Sequence, residues 1–222
     1  MNPKKLDIYE VEDIEDLIPE IEKMYNFTFE NHELENVTNF DEFAELIIEK
    51  IDLENVESCT TQQAFYKLRK SISELGILEK NKLNTETKLK EIFPRKNRRE
   101  IVKSLEENIG FKLNIINPPL ILINSLLVFG IVSFILLFIF LKIGIIGFGI
   151  TILGFYLSLK FGKEIQLNSV RELVAKITTE NYLNLRTESN TINRKELKKV
   201  ILEWVSENSG IKKEKLINST FT

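Results

Sequence analysis

Few side chains in this 222-residue chain are equipped for chemistry, and they are scattered. There is one histidine, His32, and one cysteine, Cys59. A single imidazole excludes His pairs and multi-His metal sites. A single thiol excludes an intrachain disulfide and a Cys-based zinc site. His32 lies in the polar stretch Glu30-Asn31-His32-Glu33, where general-base chemistry is conceivable. No nucleophile or glycine-rich site accompanies it, so it reads as an exposed loop residue. Cys59 precedes a helical pattern, where a helix N-terminus favours a thiolate. A Cys–His dyad would need His32 itself, and a capping or partly buried thiol is the preferred reading. The chain has no phosphate loop, dinucleotide fingerprint or zinc spacing. The expectation is a protein with no catalytic residues, no metal and no cofactor: not an enzyme.

The charged side chains carry a clearer message. The totals, 30 Lys+Arg against 33 Asp+Glu, give a net charge of -3 that conceals a split. Residues 1–57 hold 4 basic and 18 acidic side chains, net -14, and the remainder holds 26 and 15, net +11. Regions of opposite sign imply different partners, or each other. The acidic residues show no metal-ligand spacing. They form a solvated face or a docking surface for a basic protein partner. The run Arg95, Lys96, Arg98 and Arg99 reads as a membrane-surface basic cluster touching anionic lipid. Its alternative is nucleic acid. The segment Thr60-Thr61-Gln62-Gln63-Ala64-Phe65-Tyr66-Lys67-Leu68-Arg69 could likewise be a helix of a DNA-binding module, but the motif is loose and nucleic acid is the disfavoured partner.

These residues must be positioned by elements of two kinds. The first is apolar. No charge occurs between Lys112 and Lys142, nor between Lys142 and Lys160. One bilayer span needs ~20 apolar helical residues, so 118–163 suffices for two and is too long for one. Pro118 and Pro119 suit a helix start. Spans are expected at about 120–141 and 144–161, with the turn at Lys142-Ile143-Gly144. Gly144, Gly147, Gly149 and Gly154 would let the helices approach closely, and Tyr156 sits near an interface. Arg95 to Lys112 precede the run, and Lys160, Lys163 and Arg171 follow it. The positive-inside rule therefore puts both flanks in the cytoplasm, as a hairpin requires. A buried hairpin in a soluble core is the alternative. A signal peptide is excluded by position.

The second kind is helical and soluble. Ile14, Leu17, Ile18, Ile21, Met24 and Tyr25 recur at helical spacing, as do Phe40, Phe43, Ala44, Ile47, Ile48 and Ile51. Thr38 and Asn39 can cap the latter helix. Thr60 and Gln63 form a capping-box pattern before Phe65, Leu68, Ile72 and Leu75, with Gly76 as the stop. Ile101, Val102, Leu105 and Ile109 mark another helix, ended by Gly110. Ser169 and Glu172 make a further box before Val170, Leu173, Val174 and Ile177. Leu197, Val200, Ile201, Trp204 and Val205 mark the last long helix, ended by Gly210. No alternating strand pattern competes. The order of short helix, long helix, Gly-Ile turn and polar loop occurs on both sides of the apolar run, so 164–222 reads as a partial repeat of 37–87.

On these residues the soluble regions resemble acyl carrier proteins, small four-helix bundles. Residues 10–51 are similar to the second to fourth helices, with Ile21-Glu22-Lys23-Met24-Tyr25 at the acidic helix end and Val37-Thr38-Asn39-Phe40 opening the final helix. Residues 64–111 resemble the first helix, loop and second helix, through Glu74-Leu75-Gly76-Ile77, Thr85-Glu86-Thr87 and Ser104-Leu105-Glu106-Glu107-Asn108-Ile109-Gly110-Phe111. Residues 168–221 resemble a final helix followed by a first helix and loop, and the chain stops at Thr222. The resemblance implies a phosphopantetheine serine at the start of the second helix. That position falls at Val11 or Asn97, and no serine occurs before Ser58. The expectation is a carrier-like fold that does not carry. Pro19 would interrupt the second helix unless a helix restarts there.

The resulting expectation is an all-α protein of four regions: an acidic carrier-like region 1–57, a basic region 58–117, a transmembrane hairpin 118–163 and a C-terminal region 164–222. Its role would be that of a non-enzymatic docking or scaffold protein at the inner (cytoplasmic) membrane, with both termini cytoplasmic. An anchored acyl carrier and an anchored DNA-binding regulator are the alternatives. The partners would be the lipid bilayer, a basic protein and a second copy of the chain. The C-terminal helix either completes the N-terminal bundle, with Arg194, Lys195, Lys198 and Lys199 towards its acidic residues, or forms a separate tail.

Overall fold

The computed structural model describes residues 4–30, 32–188 and 190–221. Met1–Pro3, Asn31 beside His32, Ser189 and the terminal Thr222 lie outside the described residues. The regular structure is almost all helical, as the hydrophobic spacing predicts. In chain order the helices are α1 (Ile8–Glu15), α2 (Ile18–Tyr25), α3 (Phe40–Ile51), α4 (Thr60–Glu74), α5 (Leu89–Ile92) and α6 (Arg98–Ile109). There follow α7 (Leu120–Ile139), α8 (Leu141–Phe161), α9 (Val170–Glu180), α10 (Tyr182–Leu185), α11 (Arg194–Ser209) and α12 (Lys213–Asn218). Among the described residues the strands are two residues long: β1 (Lys4–Lys5), β2 (Glu54–Asn55), β3 (Thr191–Ile192) and β4 (Ser219–Thr220).

Local chemistry sets the helix ends. Asp7 and Glu10 form a reciprocal capping box at the start of α1. The chain breaks at Asp16–Leu17, and α2 restarts with Pro19 in its first turn, where the missing N–H costs nothing. Asn39 caps α3 by accepting the Glu42 N–H at 3.0 Å, while the Glu42 carboxylate returns to the N–H and hydroxyl of Thr38. Gly76 and Gly210 end α4 and α11 at φ +65° and +72°, a left-handed turn that a Cβ would strain.

Two compact units emerge: Met1–Lys70 with Leu173–Thr222, and Ser71–Glu172. The boundaries fall inside α4 and α9.

In the first unit the two ends of the chain share one core. Phe40, Phe43, Ala44, Ile47 and Ile48 of α3 are buried in the same cluster as Leu197, Val200, Ile201, Trp204 and Val205 of α11, with Ile21 and Tyr25 of α2. The parallel pairs β1–β4 and β2–β3 tie N-terminal to C-terminal segments. Thr220 also bridges to Asn39, just ahead of α3. The C-terminal helix thus completes the N-terminal helical cluster; it is not a separate tail.

In the second unit, α7 and α8 form an antiparallel pair. Gly130 meets Thr151, Ser133 meets Gly147 and Leu126 meets Gly154, a descending register. The link is the single residue Phe140, with φ −133° and ψ 78°. The turn therefore falls two residues before the Lys142-Ile143-Gly144 expected from sequence, and Gly144 lies within α8. At Gly144 a Cβ would stand 2.6 Å from the Leu137 Cα, so a side chain there is incompatible with the tight turn. Gly147 and Gly154 also sit in the helix contact, but Gly149 does not: nothing lies within 4 Å of its Cβ position.

Candidate functional site: the clamped hairpin base and the acidic cleft

Both α7 and α8 are long and apolar enough to cross a membrane. Their large side chains point outward: Ile121, Phe138, Ile146 and Leu159 are all more than 60 % exposed. The buried residues are the small or hydroxylated ones, Ser133, Gly144, Gly147, Thr151 and Ser158. This inverts the usual distribution of a soluble core. Thr151 and Ser158 satisfy their hydroxyls on the carbonyls of Gly147 and Phe155 within α8.

The base of this hairpin is fastened to its own unit. Asn117 and Glu164, just outside the two helices, exchange both backbone hydrogen bonds at 2.8 and 2.9 Å. Gly162 lies so close that a Cβ there would be 2.8 Å from the Asn117 carbonyl oxygen. The basic run supplies the rest of the clamp. Arg98 is 9 % exposed; its Nε donates to the Phe93 carbonyl at 2.9 Å and its Nη1 to that of Lys163. Arg99 Nη1 donates to the carbonyls of Lys160 and, at 3.1 Å, Gly162. Arg95 pairs with Glu164 at 2.7 Å.

The four residues of the run differ in their surroundings. Arg98 is buried, and Arg99 spends donors on the final carbonyls of α8, which a helix C-terminus leaves unsatisfied and partially negative. Guanidinium suits this position because its several donors have fixed directions. Lys96 remains exposed.

Further along the same unit, Lys88 and Ser169 form an antiparallel bridge, and Leu89 donates its N–H to Asn168 at 2.9 Å. Asn168 and Ser169 also meet Glu172 as the capping pattern predicts.

His32 and Cys59 both belong to the first unit. His32 is exposed and reaches only Glu35, at 3.4 Å, among the described residues. The Cys59 thiol, also exposed, meets Glu196 at 3.4 Å, so these two residues do not form a dyad.

The start of α4 differs from the expected Thr60–Gln63 box. Glu196 accepts the Thr60 and Thr61 N–H groups at 2.7 and 3.0 Å and the Thr61 hydroxyl at 2.9 Å. Gln63 instead accepts the Thr187 N–H at 2.7 Å. Beside it, buried Arg186 gathers the Ser58 carbonyl, the Thr60 hydroxyl and the Thr191 hydroxyl. Burial pushes the Glu196 carboxyl up, but the bonds from Thr61 and Thr60 outweigh it and hold the group below the usual carboxylate range.

The acidic region also contains a cavity of about 340 Å³, lined by Val11, Ile14, Ile18, Leu34, Val37, Phe43 and Phe221 with the carboxylates of Glu15 and Glu35. Tyr25, which the helical spacing places in the core, is 5 % exposed, and its hydroxyl bonds to none of the described residues. Burial, then neighbouring Tyr182, pushes its phenol well above the usual range. Of the two positions to which the resemblance points, Val11 lies within α1 and Asn97 immediately precedes α6.

No protein-family model, curated protein or solved structure matches the chain.

Proposed function

We propose that this chain is an inner-membrane protein held by a two-span hairpin, with both termini in the cytoplasm, and that it works as a docking scaffold and not as a catalyst. The observation that carries this reading is the hairpin. Two paired helices turn their large apolar side chains outward and their small polar ones inward, and their base is fastened by Arg98, Arg99 and the Asn117–Glu164 pair. Such a base transmits the position of the membrane to the unit that holds it. The acidic region 1–57 supplies the docking surface, and the cavity containing Glu15 and Glu35 favours a basic, partly apolar partner.

The carrier-like resemblance enters here as a proposal of descent. Helix α11, its Gly210 turn, the strand next to Asn39 and then α1 to α3 supply the parts of such a bundle, with its first helix at the far end of the chain. Helix α4, its Gly76 turn and the Lys88–Ser169 bridge repeat the motif. Neither copy has a serine at the position where a carrier is modified.

Labelling with a membrane-impermeant maleimide tests the anchoring. Cys59 should react only after the cytoplasmic face is opened, and Lys142→Cys, in a Cys59→Ser background, should react from outside. Labelling of both residues from the same side would reject the hairpin topology. For the docking role, charge reversal of Glu15 and Glu35 should strip soluble proteins that co-purify with the detergent-extracted chain.

A further inference from the structure

A second cavity, of about 390 Å³, lies in the unit that carries the hairpin. One wall is α6, contributing Arg99, Glu100, Lys103 and Glu106. The facing wall is the stretch that leads into the hairpin, with Ile115 and Ile116 immediately ahead of Asn117 and Pro118. Arg99 also touches the carbonyls that end α8. The cavity therefore opens beside the point where both helices begin and end. On the membrane reading of the hairpin, on which this inference rests, that level is the headgroup layer.

We infer that this cavity is a binding site for the headgroup of an aminophospholipid, an ethanolamine phosphate. The charges select the class. Arg99, whose Nη1 is taken by the α8 carbonyls, keeps its Nε and Nη2, and Lys103, one helical turn on and in an exposed 3.8 Å pair with Glu107, adds an ammonium; together they present donors suited to a phosphate. Glu100 presents a carboxylate suited to an ammonium. Glu106 acts within the wall instead. It accepts the Leu113 N–H at 2.8 Å and meets Lys112 at 3.1 Å, which holds the facing stretch in place.

A purely anionic headgroup would gain from the two cations but meet Glu100 with the wrong sign. A choline headgroup carries no N–H to donate, and quaternary ammonium groups are held by aromatic faces. Among the described residues, no aromatic side chain lines this cavity. Ethanolamine phosphate satisfies both signs, with its acyl chains free to lie along the exposed apolar side chains of α7 and α8. The volume falls within the range of small-molecule sites.

The test uses the full chain, reconstituted in nanodiscs of equal phosphatidylethanolamine, phosphatidylglycerol and phosphatidylcholine, then released and weighed by native mass spectrometry. The expected result is retained phosphatidylethanolamine in excess of the other two. Glu100→Gln should lower that preference over phosphatidylglycerol by about tenfold or more, the worth of one charge-assisted bond. Lys103→Gln should lower retention of phosphatidylethanolamine and phosphatidylglycerol alike, which keeps the proposal testable if the first variant folds poorly. Equal retention of the three lipids, an unchanged preference in Glu100→Gln, or unchanged retention in Lys103→Gln would overturn the site. Alkaline carbonate extraction separates the two readings. A chain washed off the membrane refutes the anchoring itself, whereas an embedded chain without lipid preference refutes only the headgroup site.

Discussion

The Glu196 carboxylate accepts the backbone N–H of Thr60 at 2.7 Å, across 136 positions of sequence. It sits on the third residue of α11, where the Asn193 side chain already accepts its own N–H at 3.0 Å. Instead of turning back to cap its own helix, the carboxylate caps α4. Removing it by Glu196→Ala exposes two helix-start N–H groups and the Thr61 hydroxyl. The expected loss is about 1–3 kcal/mol, measured by denaturant unfolding of the full chain in detergent.

The same contact predicts a pH dependence. Because the folded carboxyl lies below its ordinary value of 4.5, its contribution is complete above that value and disappears as the pH falls through the lowered folded value. Wild type should therefore lose more stability on acidification than Glu196→Gln. Parallel acid profiles of the two proteins would count against the contact.

Lys198 of α11 stands 2.7 Å from Asp41 and 2.9 Å from Glu45 of α3, joining the basic C-terminal helix to the acidic region. The pairs are partly exposed, so charge complementarity orients this contact more than it stabilises it. Lys198→Met should cost less than about 1 kcal/mol. Ile201→Ala, at a position that is 1 % exposed, should cost about 2–5 kcal/mol. Comparing the two unfolding midpoints decides which force holds α11 in the core; a larger loss from Lys198→Met would reverse the assignment.

Tyr25 provides a test in the opposite direction. Its buried hydroxyl has been taken from water without a bond in return from the described residues. Tyr25→Phe should be neutral or stabilising, by up to about 1 kcal/mol. A clear loss in the unfolding midpoint would mean that the hydroxyl is partnered in solution.

Much of this architecture is legible in the sequence because it depends on neighbours. Asn39 three residues before Glu42, Ser169 before Glu172, and the glycines at 76, 110 and 210 mark helix ends through contacts a few positions long. What the sequence hides depends on distance. Two-residue strands leave no alternating pattern, so nothing local betrays β1–β4 and β2–β3. Thr60 and Gln63 match a local capping box, yet their partners, Glu196 and Thr187, come from more than a hundred residues away. The apolar run also hides its own turn: with no polar periodicity between Leu120 and Phe161, nothing distinguishes Phe140 from Lys142. The basic run is recognisable as charge, but the burial of Arg98 emerges only once Phe93 and Lys163 have been brought to it.

Arg98 should be the least replaceable member of that run. Arg98→Ala leaves the buried Phe93 carbonyl without its donor and frees the Lys163 carbonyl as well. The expected cost is about 2 kcal/mol or more. Arg98→Lys should rescue little, because an ammonium cannot reproduce the two fixed directions. Lys96→Ala should be silent. Limited proteolysis after Lys160 or Lys163 provides the measurement: cleavage should accelerate in both Arg98 variants and stay at the wild-type rate for Lys96→Ala.

Within the hairpin, three glycines separate packing from composition. Gly149→Ala meets open space and should leave the helix pair unchanged. Gly154→Ala places its methyl 2.6 Å from a Leu126 methyl, the movable end of a flexible side chain, and should weaken the pair slightly. Gly144→Ala drives its methyl against the Leu137 backbone, which cannot yield without opening the Phe140 turn. The expected order of loss is therefore Gly144, then Gly154, then Gly149. Resistance of the compact form to increasing SDS on a semi-native gel reads that order directly. If Gly149→Ala were the most damaging of the three, α8 would have to meet α7 through a different face.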